Sequence, residues 1–483
     1  MSFYKTKRAA ESTYRCGASG QLFKKGTIMK IVIAGAGEVG SHLAKMLSRE
    51  ANDLTIIEND ETRLSKVAEL ADVLTVLGDP TSISVLEQAE VSKADLFIAV
   101  SPAQDQNTNV LSALLAKKMG AKKVTARINN DEYTQYDNRI LFTDLGIDLL
   151  FYPEKMAAYE IVDLLKQTGT SEFMEFGKGK LQMVVFRLEE GSPLVNKTVE
   201  SMLKESEPIQ ISRSDKFKPV AIARGESTII PTLQTKFIKG DLVFVICTKE
   251  GAKELLQYSG KYEIDVKNLL IIGGGRIGEM LARQLTGSVD HIKIVEQRKE
   301  TCEHLAQVLP NAVIINGDGR NTDLLLDEDA RNYDAICAVT SSSETNILSC
   351  VALKNMGVPK VIAEVENLEY IKLAEEMGVD AVINKKLITA GRIFRFTLSN
   401  KVRSIKCLNG SDAEVLEFVA NPDSAITKDI IKNLNFPKEA TIGGIIRGTK
   451  ALIAEEDSQI QPYDRVVVFA LPQALSKVNK FFV

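Results

Sequence analysis

Nineteen residues constrain the fold of this chain more than any others: Met29–Leu47, MKIVIAGAGEVGSHLAKML. Apolar Ile31–Ala34 runs into Gly35-Ala36-Gly37-Glu38-Val39-Gly40, after which Val39, Leu43, Met46 and Leu47 recur at helical spacing. The spacing predicts strand, tight turn, helix. Each glycine has a task in such a turn: Gly35 permits the bend, Gly37 lets backbone approach a pyrophosphate, and Gly40 lets helix and strand pack closely. Phosphates would then sit at the helix N-terminus. Strand-like Leu54–Glu58 ends in an acid 18 residues after Gly40, placed to bond a ribose 2′-hydroxyl.

The pattern occurs twice. Asn268–Leu285, NLLIIGGGRIGEMLARQL, repeats it as Gly273-Gly274-Gly275-Arg276-Ile277-Gly278, each glycine 238 residues after its counterpart, and Glu296 repeats Glu58 in the same register. Gly78-Asp79 recurs as Gly317-Asp318, and Asn109-x-Leu-Ser recurs as Asn346-x-Leu-Ser. The chain is an internal duplication with a period near half its length.

Between Met29 and about Asp148, strand-like runs (31–34, 54–57, 73–77, 96–100, 124–128, 148–151) alternate with helical ones, which predicts a doubly wound parallel sheet. Asp79, Ser101-Pro102 and Arg127 then fall at the carboxyl edge, where such sheets bind ligands. A helix is expected over 153–167, followed by short β-branched runs (183–188, 209–211, 220–223, 242–247) that read as a small α+β or β-rich domain. The second half repeats the order: a nucleotide-type domain over 268–383, a helix over 385–400, a second small domain over 413–483. Ile222-Ala-Arg224-Gly225 and Gly240-Asp241 resemble Ile446-Arg447-Gly448 and Tyr463-Asp464, spaced by 223, so the small domain is duplicated too. Residues 1–28, with six Lys/Arg against one acid, read as a disordered extension or non-native leader.

Composition narrows the function. A net charge of −4 gives no global basic excess for nucleic acid or anionic lipid. No apolar run approaches the ~18–20 residues needed to cross a bilayer. Six scattered cysteines without a CxxC pair read as reduced thiols, and three histidines show no metal-type spacing or paired carboxylate. No catalytic residue or metal site emerges, which shifts weight from enzyme to sensor; a tandem Rossmann oxidoreductase acting on a small metabolite is the alternative.

Taken together, MKIVIAGAGEVGSHLA with Glu58, VLGDPTS, NVLSALLAKKMGAKKVTARI, LLIIGGGRIGEMLA, IVEQR, INGDGRN and TSSSETNILSCVALKNMG resemble the TrkA family, nucleotide-binding regulatory subunits of prokaryotic Trk potassium-uptake systems. The resemblance implies two tandem units, each a Rossmann-like RCK (regulator of potassium conductance) domain and a small RCK C-terminal domain, at 29–152, 153–260, 266–384 and 385–483. It implies NAD(H) and ATP or ADP as ligands, a homotetramer whose eight RCK domains form a ring, and a membrane potassium-transporter dimer of the TrkH type as partner, with the protein cytoplasmic at the inner membrane face. By the same resemblance the first site would use Gly35–Gly40, Glu58, Asp79, Ser101 and Arg127, and the second Gly273–Gly278, Glu296, Asp318 and Thr340. The units differ at two points: Arg276 stands where the first turn has Glu38, and Glu364 where the first unit has Arg127. An arginine in the turn favours phosphate and a glutamate at the sheet edge disfavours it, so the second site's ligand stays open. Glu58 and Glu296 both argue against NADP.

Overall fold

The computed structural model describes residues 29–48, 52–102, 106–204, 215–225, 227–261, 264–394, 402–408, 411 and 413–482. The leader 1–28 and the expected strand 209–211 lie outside them. Six parallel strands lie side by side in the order Leu74–Leu77, Asp53–Glu58, Lys30–Ala34, Leu96–Ala99, Lys123–Arg127, Leu149–Phe151. The second parallel sheet repeats this order with Ala312–Asn316, His291–Glu296, Asn268–Ile272, Ala335–Ala338, Lys360–Glu364, Ala381–Ile383. Central strands such as IVIA and LLII are apolar at every position because helices cover both faces. In each sheet the strand order reverses direction beside the strand that feeds the glycine turn, opening a crevice there.

Each small domain is a five-stranded sheet of one topology. The first runs Ser227–Ile229, Phe217–Arg224, Leu242–Thr248, Leu181–Arg187, Glu172–Phe176. The second matches it with Lys450–Ile453, Ala440–Arg447, Arg465–Ala470, Glu414–Val419, Val402–Cys407. The repeated Arg and Asp have the same task in both. Arg224 donates from Nε and Nη2 to Asp241, at 2.8 and 2.7 Å, and to the Lys236 carbonyl, while Asp241 accepts the Ile238 N–H. Arg447, Asp464, the Gln459 carbonyl and the Gln461 N–H repeat every bond. Asp241 and Asp464 are almost fully buried, so these planar forks satisfy carboxylates that would otherwise be costly to bury.

The two units interlock. Helix Pro153–Lys166 leaves the first parallel sheet and packs on Arg276–Leu285, the turn helix of the second; Ala157, Ile161 and Leu165 share a core with Ile277, Leu281 and Leu285. Reciprocally, Lys385–Phe394 packs on Glu38–Ser48, placing Ala390 and Ile393 against Val39, Leu43 and Leu47. The expectation of a helix to residue 400 is met to Phe394, beyond which 395–400 lie outside the described residues. Each buried Leu or Ile contributes roughly 1.5–3 kcal/mol, so the crossover helices bind the halves strongly. The small sheets also face one another, with the Phe244 and Phe469 rings 5.9 Å apart. At that seam Lys218 reaches across and donates to the carbonyls of Ile442 and Ala454, at 2.9 and 2.8 Å; burial pushes its ammonium down to about 8. Lys360, fully enclosed, donates to the carbonyls of Thr168 and Thr170.

Cys247, Cys302, Cys337 and Cys350 are free and buried. His304 departs from expectation: its Nε2 lies 3.4 Å from Glu279, three residues into the neighbouring turn helix, a pairing that chain spacing does not reveal.

Candidate functional site

The glycines of both turns divide into those the protein itself requires and those it does not. Gly35 has φ +110°, and a Cβ there would lie 2.7 Å from the Ser101 nitrogen; at Gly40 it would lie 1.9 Å from the Gly35 carbonyl oxygen. Gly273 (φ +108°) and Gly278 repeat both restrictions, at 2.9 Å from the Thr340 nitrogen and 2.1 Å from the Gly273 oxygen. At Gly37 and Gly275 a Cβ would meet nothing within 4 Å. Nothing among the described residues requires a glycine at these two positions, and both stand open at a helix N-terminus, where an anion is favoured.

Each acid at the end of the next strand locks its turn. Glu58 is buried and accepts the Ala36 N–H on Oε2 at 2.6 Å and the Asn59 and Asp60 N–H groups on Oε1. Glu296 accepts the Gly274 N–H at 2.8 Å and the Arg298 N–H at 2.9 Å. Backbone amides so engaged hold the carboxylate rigidly at the crevice floor. Asn109 and Asn346, quoted above only as repeat markers, pin the opposite wall. Asn109 accepts the Ser101 N–H and donates to its carbonyl; Asn346 bonds Thr340 through N–H, hydroxyl and carbonyl.

Two cavities result. The first, about 140 Å³, is lined by Gly35, Glu58, Asp79, Ser101 and Pro102 as the sequence anticipates, together with Asn59, Arg63 and Thr108. The second, about 550 Å³, is lined by Gly273, Gly275, Glu296, Asp318 and Thr340, and also by Arg298, Arg320, Ser341, Ser342 and Thr345. Arg320 forks onto Asp318 (2.7 Å from Nη2) and holds its carboxyl below the usual range. The charged lining therefore differs: Glu58, Asp79 and Arg63 in the first; Glu296, Asp318, Arg298 and Arg320 in the second. Both extra arginines stood in the quoted IVEQR and INGDGRN, and their absence from the first copy was the available signal. Among the described residues, no His, Cys, Lys or Tyr lines either cavity. No group of His, Cys, Asp or Glu among the described residues has the arrangement of a metal site.

Val39 and Ile277 are core residues of the turn helices. Glu38, Arg127 and Arg276 line neither cavity. Arg127 donates to Glu154 at 3.0 Å, both nearly enclosed at the start of the crossover helix. Glu364 is buried beside Lys385, 3.3 Å away, and burial lifts its carboxyl to about 7. The second crevice is therefore lined by Arg298 and Arg320, with Arg276 next in sequence to its Gly275, and Glu364 does not line it. Glu38 pairs with Lys386 of the opposite unit at 3.0 Å.

Comparison with known proteins places these features. The TrkA-N domain profile matches residues 31–153 and 269–385, and the TrkA-C domain profile 183–260 and 415–483. "Trk system potassium uptake protein TrkA homolog" of Archaeoglobus fulgidus is 34% identical over 455 residues, covering 94% of this chain and all of the relative. "Trk system potassium uptake protein TrkA" of Halomonas elongata is 30% identical over 446 residues, 92% of this chain and 96% of the relative. Among solved structures, "GsuK channel bound to NAD" superposes with a TM-score of 0.58 at 16% identity over 95% of this chain and 80% of that one. The GsuK RCK domain gives 0.56 at 16% identity over 95% and 96%. At such identity these two establish a shared fold.

Proposed function

We propose that this chain, which belongs to the TrkA family of Trk system potassium uptake proteins, senses nucleotides at its two glycine turns and passes their occupancy to a membrane potassium transporter. One observation carries the reading: Gly37 and Gly275 are glycines the fold does not need, each open at a helix N-terminus beside an acid that fixes the turn. That is the geometry of a backbone kept bare for a pyrophosphate, with a ribose beyond it. No helix among the described residues is long and apolar enough to cross a membrane, so ions would be moved by a partner. The partner we infer is a TrkH-type dimer at the inner membrane face, met by a tetramer whose eight RCK domains form a ring.

The ligands we assign are NAD(H) and ADP or ATP. The first crevice, with a net acidic lining, suits the single pyrophosphate of NAD(H), a ligand named in the GsuK structure of like fold. In the second, Arg298 and Arg320 offset the two carboxylates of the lining and favour the denser charge of ADP or ATP. A nucleotide shifts the balance between ring conformations only by its differential affinity for them. Calorimetric titration with NAD, NADH, ADP, ATP and NADP tests this: two sites per chain of unlike preference are expected, with NADP weak at both. A single NADPH-preferring site would refute it and favour an oxidoreductase. Nucleotide-dependent capture of a reconstituted TrkH-type transporter tests the partner.

A further inference from the structure

The seam between the units carries a charge pattern that the nucleotide reading alone does not explain. At the first turn residue after the open glycine, the first unit has Glu38 and the second Arg276. Three residues beyond the last parallel strand, at the start of each crossover helix, the first unit has Glu154 and the second Lys386. Both positions reverse sign. Because the crossover helices are exchanged, each turn faces the other unit's helix: Lys386 Nζ lies 3.0 Å from Glu38, and Arg276 opens the helix that packs on Pro153–Lys166. Apart from the arginines that line the crevices, the sign-reversed positions supply one cation to each turn, from different sources. At the second site it belongs to the turn; at the first it is lent by the opposite half.

We propose that Lys386 is a phosphate-recognition residue of the first nucleotide site, taken over from Glu38 when a nucleotide binds. The inference rests on the nucleotide reading above. Lys386 is largely enclosed, its side chain 15% exposed, whereas Glu38 is 62% exposed. The lysine is therefore held in place while the glutamate is free to swing into water. A pyrophosphate at the N-terminus of Glu38–Ser48 presents more charge than one carboxylate and competes for the same ammonium. Lys386 sits one residue into helix Lys385–Phe394, which packs on both Glu38–Ser48 and Pro153–Lys166 and precedes the second small sheet. Occupancy of the first site would so be felt by the second half.

The test is NADH titration of the full chain in a Gly275→Asp background, which leaves only the first site open. Lys386→Ala is expected to weaken NADH at least tenfold, Lys386→Arg to retain most affinity, and Glu38→Gln to strengthen binding a few-fold. The pair Glu38→Gln with Lys386→Ala should remain as weak as Lys386→Ala alone. Affinity for ADP at the second site, measured for Lys386→Ala without the background change, should stay within twofold and reports an intact fold. Full recovery in the double variant would mean that Lys386 merely neutralises Glu38, and an unchanged NADH affinity in Lys386→Ala would mean no role; either overturns the proposal. No NADH binding with Lys386 intact would overturn the nucleotide reading itself and this inference with it.

Discussion

Replacing Gly275 with aspartate should uncouple stability from binding, with opposite signs. Gly275 is the N-cap of helix Arg276–Leu285, with φ −70° and ψ −170°, backbone that any residue adopts, and no side chain caps that helix end. A Cβ fits without contact. Aspartate there accepts an orphan N–H, worth a few tenths of a kcal/mol over glycine, and its charge opposes the helix dipole for another ~0.3–1 kcal/mol. The ligand-free variant should therefore match or exceed the parent by up to about 1 kcal/mol, or roughly 2–4 °C for a unit of this size. The same carboxylate occupies the place of a phosphate. Two like charges about 4 Å apart near a protein surface repel by about 4 kcal/mol, close to a thousandfold in Kd. Ligand at 100 times the parent's Kd stabilises the parent by about 2.7 kcal/mol and the variant by almost nothing. Differential scanning calorimetry with and without ADP reads both effects, and Gly275→Ala, lacking the carboxylate, should keep more of the ligand shift. A ligand-free loss above about 1 kcal/mol, or more than half the ADP shift retained, would refute the reasoning.

Asp241→Ala should cost about 3–5 kcal/mol, since it strands the Arg224 fork and the Ile238 N–H; denaturant unfolding reads the loss, and nucleotide affinity should not change. Burial lifts Glu364 from 4.5 to about 7, so between those values the folded chain keeps a proton that the unfolded chain has released. Its contribution is greatest below pH 4.5, falls as pH rises through about 7 and is flat above. Glu364→Gln should flatten that slope and raise stability at pH 8 by no more than about 3 kcal/mol, as unfolding midpoints at pH 5, 6, 7 and 8 would show; an unaltered slope would contradict it.

Much of this molecule is legible in its sequence because local backbone demands write it there. A turn that needs φ +110° at Gly35 and a 1.9 Å approach at Gly40 admits one residue type, so the motif marks itself. Strands covered on both faces must be apolar throughout, and IVIA and LLII are. The duplication makes each signal visible twice, and the repeated Arg224/Asp241 and Arg447/Asp464 pairs turn out to be one structural device used in both small sheets. Charge carries no such mark. Arg127 at a sheet edge reads as a phosphate contact, and the structure adds Glu154 as its partner; Glu364 reads as an obstacle to phosphate, and the structure buries it beside Lys385. The sequence by itself determined two glycine turns, two parallel sheets and the acid that closes each crevice, through steric rules acting over a few residues. Only the tertiary structure decided that the crossover helices are exchanged, that Lys386 reaches Glu38 across nearly 350 positions of chain, and that Lys218 and Lys360 stitch the halves. A lysine's partner is whichever acceptor the packing brings within 3 Å, and packing is a property of the assembled cores.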